Sequence, residues 1–201
     1  MKYLLFTENT VIKKTKNAKA ENQWYQIAKD IVNVPEVYFC NDELLITNKI
    51  KNYKKPCAAD IIKLIDSYKD KVIENYDFVT YLRNIEHIEY SSKKTLHTIA
   101  NLKKHDATFF HGDLSTTNVL VTDDKTYCID SNYKNIFGSY LTDAGKAYFS
   151  FIAYEKDYEQ AKMISDRYGK EVIEFAVAEG LRVCKYQNKY ISIVNNISEI
   201  I

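Results

Sequence analysis

Short runs rich in Val, Ile, Leu, Tyr and Phe occupy residues 2–6, 10–14, 35–40 and 44–50, separated by polar turns such as Glu8-Asn9 and Asn41-Asp42. Runs of this length and composition bounded by turn residues predict four strands. Between the second and third, Ala20, Trp24, Ile27, Ala28 and Ile31 recur at helical spacing and predict an amphipathic helix over 18–32. Ile61, Ile62, Leu64 and Ile65 predict another over 58–68, and two more are read over 77–83 and 91–104, the last with Leu96, Ile99 and Leu102 on one face. Phe109-Phe110 reads as a short buried strand. Val119-Leu120-Val121 and residues 126–129 flank the turn Thr122-Asp123-Asp124-Lys125, a strand–turn–strand pattern. From residue 140 the pattern is mainly helical, with helices at 148–152, 158–168 and 171–186. An N-terminal sheet followed by a helical remainder is an α+β arrangement.

Composition narrows the class. The chain has 201 residues, 46% hydrophobic and 27% charged, which suits one folded domain or two lobes sharing a cleft. A net charge of +1 supplies no bulk attraction to nucleic acid or to an anionic membrane. Cys40, Cys57, Cys128 and Cys184 are widely spaced without a C-x-x-C pair, which fits reduced thiols in a reducing compartment. The start, Met1 to Phe6, is too brief an apolar run for a signal peptide, and no run approaches the roughly 20 residues that span a bilayer. A cytoplasmic location is the expectation, with the oligomeric state left open. His87, His97 and His105 have no partner at metal-ligand spacing and read as surface or packing residues.

The chemistry concentrates in one stretch. His111-Gly112-Asp113-Leu114-Ser115-Thr116-Thr117-Asn118 reads H-x-D-x-x-x-x-N, and Ile129-Asp130 follows the next hairpin strand. Phosphoryl transfer needs one carboxylate to orient a hydroxyl and accept its proton, and an amide oxygen and a second carboxylate to hold magnesium. Asp113 is placed in the first role, Asn118 and Asp130 in the second. A polar loop capping a hairpin would account for the strands but not for the clustering of these four residue types.

Residues 111–130 resemble the catalytic segment of the aminoglycoside phosphotransferase / choline kinase family, which has the protein-kinase-like fold. Gly112 after the histidine, and Ile129-Asp130 in place of D-F-G, both favour a small-molecule kinase over a protein kinase. Gly138-Ser139-Tyr140-Leu141-Thr142-Asp143-Ala144-Gly145-Lys146 is similar to the family's G-x-x-x-x-D-x-x-K stretch, closest to members from surface-polysaccharide and lipopolysaccharide gene clusters. Residues 179–186 look like a helix near the C-terminus of that subgroup. The resemblance spans roughly residues 10–190 and is strong over 109–146.

The resemblance implies a two-lobe α+β fold: a reduced N-lobe over 1–50, with a small antiparallel sheet and one helix, and a helical C-lobe over 51–201 carrying the catalytic loop at 109–130. It implies ATP and Mg2+ as cofactors. Lys13 or Lys14 would hold the α/β-phosphates, and because neighbouring strand residues face opposite sides only one of them can enter the cleft. Glu21 would pair with that lysine. Thr47, Asn48 and Lys49 fall at the hinge where adenine binds. His111 and Asp143 would support the loop. One departure stands out: no glycine precedes Lys13, so the tip Thr7-Glu8-Asn9 must cover the phosphates or the nucleotide is held more openly. Tyr-rich, acidic stretches at 133–140 and 148–158 are candidate acceptor contacts.

The reading that follows is an ATP- and Mg2+-dependent kinase for the hydroxyl of a small molecule, a sugar or other surface-glycan precursor ahead of choline-like alcohols and aminoglycosides. The alternatives are a nucleotide-binding pseudokinase or regulatory module, motivated by the missing glycine-rich loop, and a minimal protein kinase, disfavoured because no A-P-E segment follows Asp130.

Overall fold

The computed structural model describes residues 3–71, 108–131, 137–184 and 186–199. The helices expected at 77–83 and 91–104, the three histidines at 87, 97 and 105, and residues 133–136 of the 133–140 stretch lie outside the described residues.

A four-stranded antiparallel sheet forms the N-terminal part, in the order β1 (Tyr3–Phe6), β2 (Thr10–Lys14), β4 (Leu44–Asn48), β3 (Val37–Cys40). Its register sets Leu4 against Lys13 and Lys13 against Leu45. Side chains alternate across a sheet, so Lys13 and Lys14 leave opposite faces. Lys13 is buried, whereas Lys14 is exposed and stands 3.6 Å from Glu43. Between β2 and β3 runs α1 (Ala18–Ala28), which buries Ala18, Glu21, Trp24, Tyr25 and Ala28. The 3.6-residue repeat of these positions turns one stripe inward. The helix stops at Ala28, four residues short of the span read from the sequence, and the chain turns through Lys29, Asp30 and Ile31.

After β4 a linker leads to α2 (Ala58–Asp66), whose Ile61, Leu64 and Ile65 enter the core. Two small antiparallel pairs frame the loop between them: β5 (Thr108–Phe109) with β8 (Phe137–Gly138), and β6 (Val119–Val121) with β7 (Thr126–Cys128). The linker touches this frame through a bridge between Lys54 and Val121, and the end of α1 through one between Asn33 and Tyr127.

The C-terminal part is helical. Helix α3 (Tyr140–Ser150) runs into a π turn (Phe151–Glu155) that ends on Lys156 in the left-handed region, at φ 58°. Then come α4 (Tyr158–Tyr168), α5 (Glu171–Cys184), a 3-10 turn (Asn188–Tyr190) and α6 (Ile191–Ser198). Helices α3 and α5 cross at backbone contact. A Cβ on Gly145 would lie 2.5 Å from Phe175 Cβ, closer than atoms approach, so only glycine fits there. Trp24 joins the two parts: it stacks on Phe109 at 5.9 Å and meets His111 edge-on at 5.3 Å, a core role as the sequence suggested.

Candidate active site

Lys13 is the side chain around which the cleft is organised. Strand β2 turns it inward, and Glu21, in the first turn of α1, meets it at 2.6 Å. Asp130, just past β7, also bonds the Lys13 ammonium. Burial works against the charged lysine, yet the two carboxylates outweigh it and raise its pKa. Asp130 takes a left-handed backbone, φ 52°, which aspartate tolerates better than most residues. Its carboxylate stays 44% exposed, so one anion of the group remains open to the cleft. Tyr25 lies beside it, its hydroxyl 3.4 Å from Glu21.

The loop between β5 and β6 carries the second group. Asp113 accepts at Oδ1 from Lys146 Nζ at 3.0 Å and from Arg182 at 2.7 Å. The Asn118 amide nitrogen donates to Asp113 Oδ2 at 3.1 Å and to its backbone carbonyl at 2.9 Å. That orientation leaves the Asn118 amide oxygen as the atom a cation can take. Burial would raise the Asp113 pKa, but Lys146 and Arg182 overcome it and bring it down to about 2. Arg182 is steadied in turn by Glu179 at 2.8 Å.

Two residues hold this loop in shape. Asp143, at the start of α3, accepts from the His111 backbone N–H at 2.6 Å, from the Gly112 N–H at 2.9 Å and from the Tyr68 hydroxyl at 2.7 Å. Full burial pushes its pKa up to about 7 against those three donors. His111 Nε2 lies 2.8 Å from the Ile129 carbonyl, and its Nδ1 accepts from the Asp113 N–H at 3.3 Å, so it ties the aspartate loop to the Asp130 strand end. Burial drops the His111 pKa to about 4, which keeps the ring neutral. Gly112 takes φ 75°, a conformation that glycine reaches without strain.

A cavity of about 360 Å³ opens between the sheet and the loop. Apolar walls from Leu4, Val11, Leu45 and Leu120 lead to a polar end at Lys13 and Asp130, and Thr47, Asn48 and Lys49 line the opposite rim. Volume, apolar walls and a few convergent polar groups are the marks of a small-ligand site. Asp130 and Asn118 supply oxygen donors for a hard divalent cation, the remainder coming from water and phosphate, as Mg2+ prefers. The residues therefore fit both a nucleotide and magnesium.

The tip Thr7-Glu8-Asn9 does not sit over the polar end. Asn9 accepts from the Lys49 backbone N–H at 2.9 Å, and Lys51 Nζ reaches the Asn9 side chain at 2.6 Å, so the tip belongs to the rim beside β4. The register explains this: Phe6 pairs with Val11 next to the turn, and Lys13 lies at the far end of the hairpin.

Sequence reasoning missed the partners of Asp113. Lys146 lies three residues after Asp143, so helical spacing puts both on one side of α3, a signal that was legible. Arg182 reaches Asp113 across 69 residues, and no local pattern announces it. Also unforeseen is Glu155, which accepts from Thr116 at 3.0 Å and pairs with Lys55 at 2.8 Å, linking the loop to the segment after β4.

Comparison with known families gives a match to the RIO domain over residues 7–133, more than half of the chain. The chain belongs to the RIO domain family. The matched region of this RIO domain holds Lys13, Glu21, Asp113, Asn118 and Asp130 together. Among solved structures the RIO domain chain is similar to a choline/ethanolamine kinase family protein from Mesorhizobium loti, with 11% identity and a TM-score of 0.64 over 98% of this chain and 81% of that one. Choline kinase LicA from Streptococcus pneumoniae gives 13% identity and a TM-score of 0.64, covering 98% and 81%. An ADP-bound aminoglycoside phosphotransferase gives 14% and 0.62, covering 98% and 92%. No curated protein matches in sequence. The fold is thus the two-lobe, protein-kinase-like one, as the resemblance of the catalytic segment implied. Among the described residues, no helix is long and apolar enough to cross a membrane.

Proposed function

We propose that the chain is an ATP- and Mg2+-dependent cytoplasmic kinase that phosphorylates the hydroxyl of a small molecule. The observation that carries this reading is the Lys13–Glu21–Asp130 group at the polar end of one cleft, with the Asp113–Asn118 loop tied to the Asp130 strand end through His111 and the bond from the Ile129 N–H to the Asn118 carbonyl. Residues 1–50 would cover the nucleotide and residues 51–201 would carry the catalytic loop. Adenine would lie against Leu45 and the Thr47–Asn48–Lys49 rim, which line the cavity. Lys13 would bind the α/β-phosphates, held by Glu21, with Lys14 left on the outer face. Asn118 and Asp130 would hold magnesium, which when bound neutralises the phosphates and orients the terminal one. Asp113 would orient the acceptor hydroxyl and take its proton. His111 and Asp143 would keep the loop in place without touching substrate.

The acceptor we favour is a sugar or other surface-glycan precursor. The support is the similarity of residues 138–146 to kinases of polysaccharide clusters, together with an aromatic wall near the loop. Tyr154 packs edge-on to Tyr190 at 5.5 Å. Its hydroxyl pKa is pushed up to about 12, first by burial and then by the field of Asp113. Rings of this kind offer a flat apolar face and a hydroxyl to a polyol. The test is ADP release from ATP across a panel of sugars, sugar phosphates, choline and aminoglycosides. Acceptor-dependent release that disappears in Asp113→Asn supports the proposal.

A second reading, a nucleotide-binding module without turnover, is favoured by one observation: the hairpin tip lies at the rim rather than over the phosphates. It anticipates nucleotide binding with no ADP release for any acceptor in the panel.

A further inference from the structure

The exposed large apolar side chains sort by position. Leu4, Phe6 and Tyr53 line the cavity, and Tyr158, Met163 and Tyr186 are scattered over α4 and beyond α5. Tyr3, Leu5, Tyr38 and Phe39 remain, each 43–56% exposed, and they share one surface. Side chains alternate along a strand, so the strands that turn Lys13 and Leu45 into the cleft turn their neighbours the other way. On that outer face the register lines up Leu5, Ile12, Ile46 and Phe39 in one row across all four strands. Alternation after Val37 turns Tyr38 outward, and the bulge that follows keeps Phe39 outward too. In the next row Tyr3 pairs with Lys14 and Lys14 with Leu44.

An apolar patch bordered by polar groups marks an interaction surface. Opposite charges border this one. Lys14 stands 3.6 Å from Glu43 and Lys19 stands 2.6 Å from Asp42, with all four side chains exposed. Thr10 and Asn48 pair at the other end of β2 and β4. A surface for anionic lipid carries a surplus of cations, whereas these two are each matched by a carboxylate.

The pattern is complementary to itself. A two-fold axis along the strands, between β2 and β4, lays β2 of one copy over β4 of the next. Ile12 then meets the partner's Ile46, Leu5 meets the partner's Phe39, and Lys14 meets the partner's Glu43. Strands that face each other this way are nearly aligned, as in packed pairs of sheets. Four half-exposed side chains of this size present roughly 400 Å². With the partly exposed Ile12, Leu44 and Ile46 the face offers about 500 Å² per copy, or about 1,000 Å² for a pair, the lower bound for a specific interface.

We propose that two copies of this chain associate through the outer faces of their sheets, in a symmetric dimer with β2 of each over β4 of its partner. The cleft lies on the opposite face of the sheet and stays open in the dimer.

The test is sedimentation velocity of the wild-type chain from about 1 to 200 µM, a span that brackets the micromolar affinity of a small interface. A monomer–dimer equilibrium is expected. Lys14→Glu alone sets carboxylates against each other across the interface, and Glu43→Lys alone sets ammonium groups against each other. Each should weaken the dimer at least about tenfold at low salt. Mixed in equal amounts, the two variants set every carboxylate against a lysine of the other copy, and dimer should return to within about threefold of wild type. Phe39→Ser should weaken association at any salt by removing an apolar anchor, with a thermal melt to show that the variant folds. Wild-type protein that stays monomeric throughout overturns the inference, whether or not it binds vesicles of phosphatidylcholine and phosphatidylglycerol. Dimer that forms undiminished in both charge variants overturns it too, since the interface then lies elsewhere, and so does a mixture no more dimeric than its two components.

Discussion

Asp113 is held as an anion by its neighbours, and that shapes what its replacement does. Burial alone would raise its pKa, but Lys146 and Arg182 bring it down to about 2. Asp113→Asn keeps the size and removes the charge, and ADP release should fall by about a hundredfold or more. Asp113→Ala does more, because it strands the buried Lys146 ammonium. An added loss of about 2 kcal/mol in urea unfolding is expected, a cost that the loop's sequence does not disclose. His111 supplies a pH signature. Burial depresses its folded pKa from 6.5 to about 4. Below pH 6.5 the unfolded chain takes up a proton that the folded one refuses, so stability present above pH 6.5 is lost as pH falls toward 4. The His111 share is about 3 kcal/mol over that window. Unfolding of a His111→Gln variant compared with wild type from pH 7 to 4 measures it, and equal slopes would contradict it. The choice between Lys13 and Lys14 also belongs to this scale. Sequence parity said that one must face inward, but only the register with Leu4 and Leu45 decides for Lys13.

At the level of elements, the hairpin of β6 and β7 and the helices α1 and α2 were legible because their apolar positions follow the period of the element. Phase was harder than existence. Helix α1 ends at Ala28 rather than at residue 32, because the chain must turn to bring Asn33 to Tyr127. The role of the first hairpin was legible only in part. The absence of glycine was plain in the sequence, but the placing of its tip at the rim follows from pairing with β4 and from Lys49 and Lys51, which are contacts distant in sequence. The crossing of α3 and α5 is the element-scale feature on which the site depends, since it brings Lys146 and Arg182 to one carboxylate. Gly145→Ala forces the helices apart and should cost about 1–3 kcal/mol in stability. It should also weaken ADP release by more than that loss of fold explains, a comparison made at a temperature where the variant is fully folded.

The molecule as a whole places a small sheet over a helical body, with the cleft where they meet. Its two halves contribute different chemistry. The sheet side brings Lys13 and Glu21, and the helical side brings Asp113, Asn118, Lys146 and Arg182. The candidate loop at 111–130 was readable because its residues lie within twenty positions of one another, whereas the cross-lobe pairing of Lys13 with Asp130 spans 117 residues and had to come from the fold. The account stands or falls on whether the cleft binds a magnesium nucleotide. The most direct measurement is titration calorimetry of ATP with and without Mg2+, on wild-type protein and on Asp130→Ala. The account expects binding that requires Mg2+ in the wild type and that is weakened when Asp130 is removed. No heat of binding for ATP under either condition, from protein shown to be folded, would contradict it.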